Sequence, residues 1–241
     1  MINYSMHSYH QKLLFYPGLL LLLSVFAVNQ TSAQHTKAYP VKAGEIPNRV
    51  LPNEAMYVLP AFATGSALQR DGTAATFAFN YNFLQDEMHF IGIAGDTLAI
   101  AEPVLLKTVV IGTLIFYYDK GYLQQIFTAG KYSLAMRQQM VQIADKTTGA
   151  YDAASGASAI KTYGTINNNS QIYQLEVKKD VVFEKVVGYY IGAGSNPFVK
   201  ASRRNFELFF ADKAVSAYCK THRVNFNNEA DLKALLLFCV E

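Results

Sequence analysis

The chain has 241 residues, 51% of them hydrophobic and 16% charged, with 21 Lys+Arg against 18 Asp+Glu. That apolar fraction supports a packed core of one or two domains and excludes disorder over most of the length. A formal net charge of +3 also falls short of a nucleic-acid-binding surface, which takes a basic stripe or a much higher charge density.

At the N-terminus, Leu13–Val28 holds thirteen apolar residues in sixteen, behind a stretch whose one fixed cation is Lys12. Asn29-Gln30-Thr31-Ser32-Ala33 follows, with small residues at Thr31 and Ala33. This three-part pattern predicts a signal peptide over residues 1–33, cut after Ala33. The competing reading is a membrane anchor, but an uninterrupted span needs about 20 apolar residues, and Pro17-Gly18 breaks this run early. No Cys follows the cut, which argues against a bacterial lipid anchor. The mature chain is expected outside the cytoplasm: periplasmic, on the cell surface or secreted. No membrane span is expected in it, because later apolar runs such as Thr108–Tyr118 are interrupted and of strand length.

Residues 34–72 carry Pro40, Pro47, Pro52 and Pro60 with little periodicity, and read as an extended lead-in with one short strand at Ala55–Leu59. From residue 73 to 200 the pattern is that of an antiparallel β-rich domain. Phe77, Phe79 and Tyr81 alternate on one strand face. Gln85-Asp86 turns the chain into Met88–Ile91, and Gly95-Asp96 into Thr97–Ala101, which Pro103 ends. Thr108–Ile111 and Ile115–Tyr118 precede the turn Asp119-Lys120-Gly121; Tyr122–Phe127 and Ser133–Ile143 follow it. Strands this closely spaced leave no room for parallel crossovers. A flexible Ala/Gly/Ser/Thr-rich loop is expected at 145–161, then strands at Tyr163–Ile166, Ile172–Lys178 and Val181–Tyr190, with Asn167–Asn169 at a hairpin tip.

Residues 201–241 switch to helical periodicity. Ser202 is placed to cap Arg203–Phe210, Asp212 to cap Lys213–His222, and Asn227 or Asn228 to cap a last helix through Cys239. Leu232, Leu235, Leu236 and Cys239 form one apolar stripe, and Phe206, Phe209 and Phe210 begin another. Helices this short are unstable alone, so they are expected to pack on the sheet. The fold class is therefore α+β, mainly β: an antiparallel meander followed by a short C-terminal helical pair. If two helices fold back around Val224–Phe226, Cys239 lies about 12 Å beyond the level of Cys219. That exceeds disulfide reach, and two buried thiols are expected.

Chemistry is sparse in this text. The mature chain keeps His35, His89 and His222, too few to build a metal centre; Glu87 and His89 share a strand face but make only two ligands. There is no Gly-x-Ser-x-Gly elbow, and Cys219 with His222 lacks an orienting third partner. Gly192-Ala193-Gly194-Ser195-Asn196-Pro197 lacks the third glycine and the helix of a dinucleotide loop. No catalytic, cofactor-binding or metal residues are assigned, and no cofactor is expected. Lys200, Arg203 and Arg204 form a candidate anion contact at a helix start. The unusual feature is 16 Phe and 16 Tyr with no Trp. Adjacent tyrosines must point to both faces of a pleat, which marks Tyr117, Tyr122 and Tyr189 as a candidate interaction surface.

The strings Phe79-Asn80-Tyr81-Asn82, Glu87-Met88-His89-Phe90-Ile91 and Gly95-Asp96-Thr97-Leu98-Ala99-Ile100-Ala101, with Arg204-Asn205-Phe206, Ala217-Tyr218, Asn225-Phe226 and Glu229-Ala230-Asp231-Leu232, resemble an uncharacterised family of exported, signal-peptide-bearing proteins of the Bacteroidota. The resemblance spans residues 73–241, implies a periplasmic or surface location, and carries over no functional residue. The function expected is that of an exported, non-catalytic β-rich binding or structural component of the envelope or secretome, its partner another envelope protein or the chain itself, and not nucleic acid. Two alternatives stay open: a glycan- or peptide-directed hydrolase whose carboxylates converge only in space, and an apolar-ligand carrier.

Overall fold

Aromatic residues at every second position need a surface to bury against, and here the sheet supplies it by curling. The computed structural model describes residues 37–143, 161–162, 167–168, 171–172, 176–194 and 196–241, all within one compact unit, Thr36–Glu241. The strands are β1 (Ala38–Val41), β2 (Ala63–Gln69), β3 (Ala74–Asn82), β4 (Glu87–Ile91), β5 (Thr97–Ala99), β6 (Leu106–Ile111), β7 (Leu114–Tyr118), β8 (Tyr122–Ala129), β9 (Tyr132–Ile143), β10 (Lys161–Thr162), β11 (Asn167–Asn168), β12 (Gln171–Ile172), β13 (Val181–Ala193) and β14 (Val199–Lys200). Single-turn helices α1 (Pro47–Val50) and α2 (Asn53–Met56) lie between β1 and β2, and α3 (Arg203–Phe209), α4 (Val215–Thr221) and α5 (Glu229–Val240) end the chain. The signal segment, the 145–161 loop up to residue 160, and the Tyr163–Ile166 strand lie outside the described residues.

The described pairings are all antiparallel, in the order β1-β13-β9-β8-β7-β6-β2-β3-β4-β5-β12-β11, with β10 on β9 and β14 on β13. The α+β, mainly antiparallel reading thus holds, with three corrections. The lead-in is not a lead-in: β1 edges β13, and β2 sits in the middle of the sheet between β6 and β3. Its Ala63-Thr64-Gly65-Ser66-Ala67 has too little bulk for a strand pattern, yet Gly65 is required, since a Cβ there would lie 2.4 Å from Val110 O. The short strand expected at Ala55–Leu59 is instead the end of α2 followed by a single bridge, Tyr57 to Asn82; Asn80 holds that segment by accepting from Leu59 N and donating to Leu59 O. Of the strand expected over Ile172–Lys178, Ile172 is strand, as part of Gln171–Ile172, and the described residues 176–178 lie outside any element.

Closure comes from the β3–β4 connection. β8 pairs with β9 only up to Met136; further along, Met140 N–H donates to Phe83 O at 2.8 Å. The connection occupies the place that β8 leaves, so β9, β8, β7, β6, β2 and β3 form a ring. Within the connection, Asn82 Oδ1 accepts from Leu84 N and Gln85 N, fixing the turn. Asp86, at φ 56°, then accepts from Tyr81 Oη, Arg137 and Gln139 Nε2. Lys185 lies 3.9 Å from the Phe83 ring centroid, a cation–π contact on the opposite side of the latch. Gly121 completes it, since any Cβ there would collide with the Arg137 guanidinium.

Two cores result. Phe79, Tyr81, Met88, Val109, Phe116, Tyr122, Met140 and Phe183 fill the ring. Leu134 and Ile191, at the other end of the long β9–β13 ladder, join Phe206, Phe210, Leu232, Leu235, Leu236 and both cysteines under the helices. The tail therefore covers a second core rather than the aromatic interior, which closes on itself. Ser202 caps α3, accepting from Asn205 N, and Asn228 caps α5, accepting from Asp231 N. Asp212 caps nothing: α4 begins at Val215 behind Ala214, without a side-chain cap.

Two predictions test this architecture. Asp86→Asn keeps a residue suited to positive φ but removes the charge that Arg137 faces. It is expected to cost about 1–3 kcal/mol, read as a lower denaturant midpoint with an unchanged slope. Cys219 and Cys239 are free and buried; burial raises both thiols, Cys239 to about 11. Thiol reagents at pH 8 should therefore label neither in the native protein and both in denaturant, with the full-length mass showing no missing hydrogens.

Candidate functional site

The alternation of β3 puts Ala75, Phe77, Phe79 and Tyr81 on the inner face of the ring. Bulk falls off toward Ala75, and cross-strand from it stands Ala67. The small side chains at Ala67, Ala75, Ala99 and Ala101 leave space at this end that the phenyl groups do not fill. The result is a recess of about 360 Å³ bounded by Phe77, Phe79, Phe90, Ile100, Leu105 and Leu106, with Gln69 and Glu102 as its polar members. Phe77 lies 5.1 Å from Phe90, and Phe79 6.1 Å from it, centroid to centroid, so the three rings form a rigid wall. The floor is core: Phe79 and Leu106 are 1% and 3% exposed. At the mouth, the turn Pro103–Leu105 carries Val104 and Leu105, 64% and 44% exposed. The recess is thus the unfilled end of the main core, entered past an apolar lip. Size and lining are those of a small-ligand site.

A second polar arrangement is enclosed. His89 on β4 is fully buried; its Nδ1 is hydrogen-bonded to Tyr57 Oη at 3.0 Å, and its Nε2 lies 3.5 Å from Glu87 Oε2. Carboxylate, imidazole and hydroxyl stand in the sequence of a relay, and burial raises the Tyr57 hydroxyl. The ring has zero exposure to any substrate, and the chain is broken between Glu87 and His89, where Oε2 and Nε2 are buried without a hydrogen-bond partner. Asp86 and Glu87, the neighbouring acids, are committed separately, Asp86 to Arg137 and Glu87 to His89. They do not face each other as a glycosidase pair does. Among the described residues no group of three metal-ligating side chains converges.

The residues singled out by sequence fare unequally. Tyr122 is 3% exposed, its ring 5.7 Å from Tyr81 and its hydroxyl strongly raised by burial; it is core, because it opens β8 on the ring's inner face. Tyr189 packs partly into the helical core, with burial raising its hydroxyl. Tyr117 and Tyr189 are both partly exposed, Tyr117 with its ring against Phe198. Lys200, Arg203 and Arg204 are exposed, but Arg203 turns to Cys219, and Lys200 offers its carbonyl to Asn205 Nδ2 at 2.8 Å. α3, which Arg203 and Arg204 open, has seven residues. The recess itself was missed: Ala67, Ala75, Ala99 and Ala101 read as filler until the ring places them together.

Comparison of the chain with protein-family models, with curated proteins and with solved structures finds no match.

Proposed function

We propose that the chain is an exported, non-catalytic binding protein of the bacterial envelope or secretome, and that it takes a small apolar ligand into the recess at the open end of the main core. The recess is the observation that carries this reading. Among the described residues 35 hydrophobic side chains are buried, in two clusters; close packing is the rule in such interiors, so an apolar hollow of this size favours a ligand. Burial of an apolar group there returns roughly 25 cal/mol per Å² removed from water, and the preformed aromatic wall costs no reordering. The exposed Val104 and Leu105 extend that apolar surface outward, so a ligand is met before it enters. Export rests on the Leu13–Val28 apolar run, the small residues before Gln34, and the resemblance to exported Bacteroidota proteins. The enclosed His89 and the separately committed acids weigh for binding over hydrolysis.

Two measurements check it. Protein recovered from an envelope or culture fraction should begin at Gln34; a chain starting at Met1 there would contradict processing after Ala33. The neutral fluorescent probe N-phenyl-1-naphthylamine should bind the purified mature chain and brighten. Ala75→Phe fills the recess from an exposed position and should weaken the probe at least tenfold while leaving the unfolding midpoint unchanged. Equal binding by that variant would place the probe elsewhere and sink the reading.

A further inference from the structure

A second recess, of about 500 Å³, lies where the start of β6 and the β7–β8 turn meet Gly194 and residues 196–198, and Arg70, Lys107, Thr108, Tyr117, Asn196 and Phe198 line it. Its construction is specific. Phe116 is core, so the pleat turns Tyr117 to the opposite face. There the Tyr117 hydroxyl is held by Gln125 Oε1 and by Ser133, which fixes the plane of its ring. Phe198 is laid against that ring at 5.4 Å between centroids, 37° between planes. Two features put it there. Phe198 N donates to Asp119 Oδ2 at 2.6 Å, and Gly192 leaves the strand bare beneath it, since a Cβ at 192 would lie 2.9 Å from the Phe198 ring. Burial would be the ordinary fate of two such rings; here a side-chain anchor and a glycine hold them in place half-exposed.

Charge adds the second half. Arg70 is anchored through Nε to Val104 O at 3.1 Å, and Lys107 is exposed on the same rim. The carboxylate in the lining, Asp119, accepts from the Phe198 backbone and offsets one of the two cations, Arg70 and Lys107. The recess therefore combines a fixed aromatic platform, hydroxyl and amide groups, and a surplus of positive charge. A peptide has no strand edge to join at this point, because β7 is paired on both sides, with β6 and β8. A ring with one apolar C–H face, hydroxyls around its edge and an acid group matches each of these features. We infer that this recess binds an acidic saccharide, its ring covering Tyr117 and Phe198 and its carboxylate directed to Arg70 and Lys107.

The test is a panel of immobilised oligosaccharides bearing hexuronate or sialate, beside neutral oligosaccharides and mononucleotides, probed with the mature chain. Acidic saccharides should be retained at least tenfold more tightly than neutral ones. Tyr117→Ala and Phe198→Ser should each lose at least tenfold, and Arg70→Gln should remove the preference for acid while sparing residual neutral binding. An unchanged denaturant midpoint shows that each variant is folded. No retention on any saccharide, retention of nucleotides in their place, or retention unchanged by all three substitutions in folded protein would each overturn the inference.

Discussion

The structure depends on one junction, the carboxylate of Asp86 set among Tyr81, Arg137 and Gln139. Antiparallel hairpins alone give an open sheet, whose right-handed twist curls it but does not shut it. Shutting it requires that the β3–β4 connection find β9, a strand 50 residues away in sequence. The single backbone bond from Met140 to Phe83 is too little for that, at about 1 kcal/mol net. The charge-assisted contacts around Asp86 are stronger and directional. They also sit on a residue forced into positive φ, which Asp tolerates better than most. Leaving Arg137 without its partner would strand a partly buried cation, and this makes the latch an all-or-none element rather than an increment.

Closure explains why a recess exists at all. Along the ring's inner face, bulk is graded: Tyr81, Phe83 and Tyr122 crowd the latched end, whereas Ala67 and Ala75 occupy the other. An open sheet would expose both ends equally and could fill neither. In the closed ring, the crowded end supplies stability and the sparse end keeps its space. The helices take no part in this, since they cover Leu134 and Ile191 at the far end of the β9–β13 ladder. The long strands thus carry two independent cores on one scaffold, and damage to the helical core should loosen the tail without emptying the ring.

Most of β3 to β9 was legible, because aromatic alternation and Gly/Asp turns are local signals, and the helix caps Ser202 and Asn228 are equally local. What failed was non-local. β1 and β2 lack bulk and periodicity of their own; β13, β6 and β3 make them strands by offering unpaired ladders. Tyr122 follows a turn exactly as an exposed tyrosine would, and only closure buries it. Asp212 resembles a cap, yet the chain delays the helix to Val215, where that side chain enters the second core. The recess was invisible for the same reason: four alanines far apart in sequence carry no signal until a ring sets them against three phenylalanines.

The two recesses differ in how their aromatics are held, and that difference bears on what each can recognise. Phe77, Phe79 and Phe90 are fixed by packing against one another, which is non-directional and selects for size and apolarity. Tyr117 and Phe198 are fixed by hydrogen bonds to Gln125, Ser133 and Asp119, which set ring planes and leave faces wet. A packed wall discriminates weakly between ligands of similar volume, whereas oriented planes beside anchored cations discriminate by shape and charge. On the two proposed readings, selectivity belongs to the outer recess and capacity for apolar ligand to the inner one, and both recesses take their geometry from strands that the Asp86 latch joins.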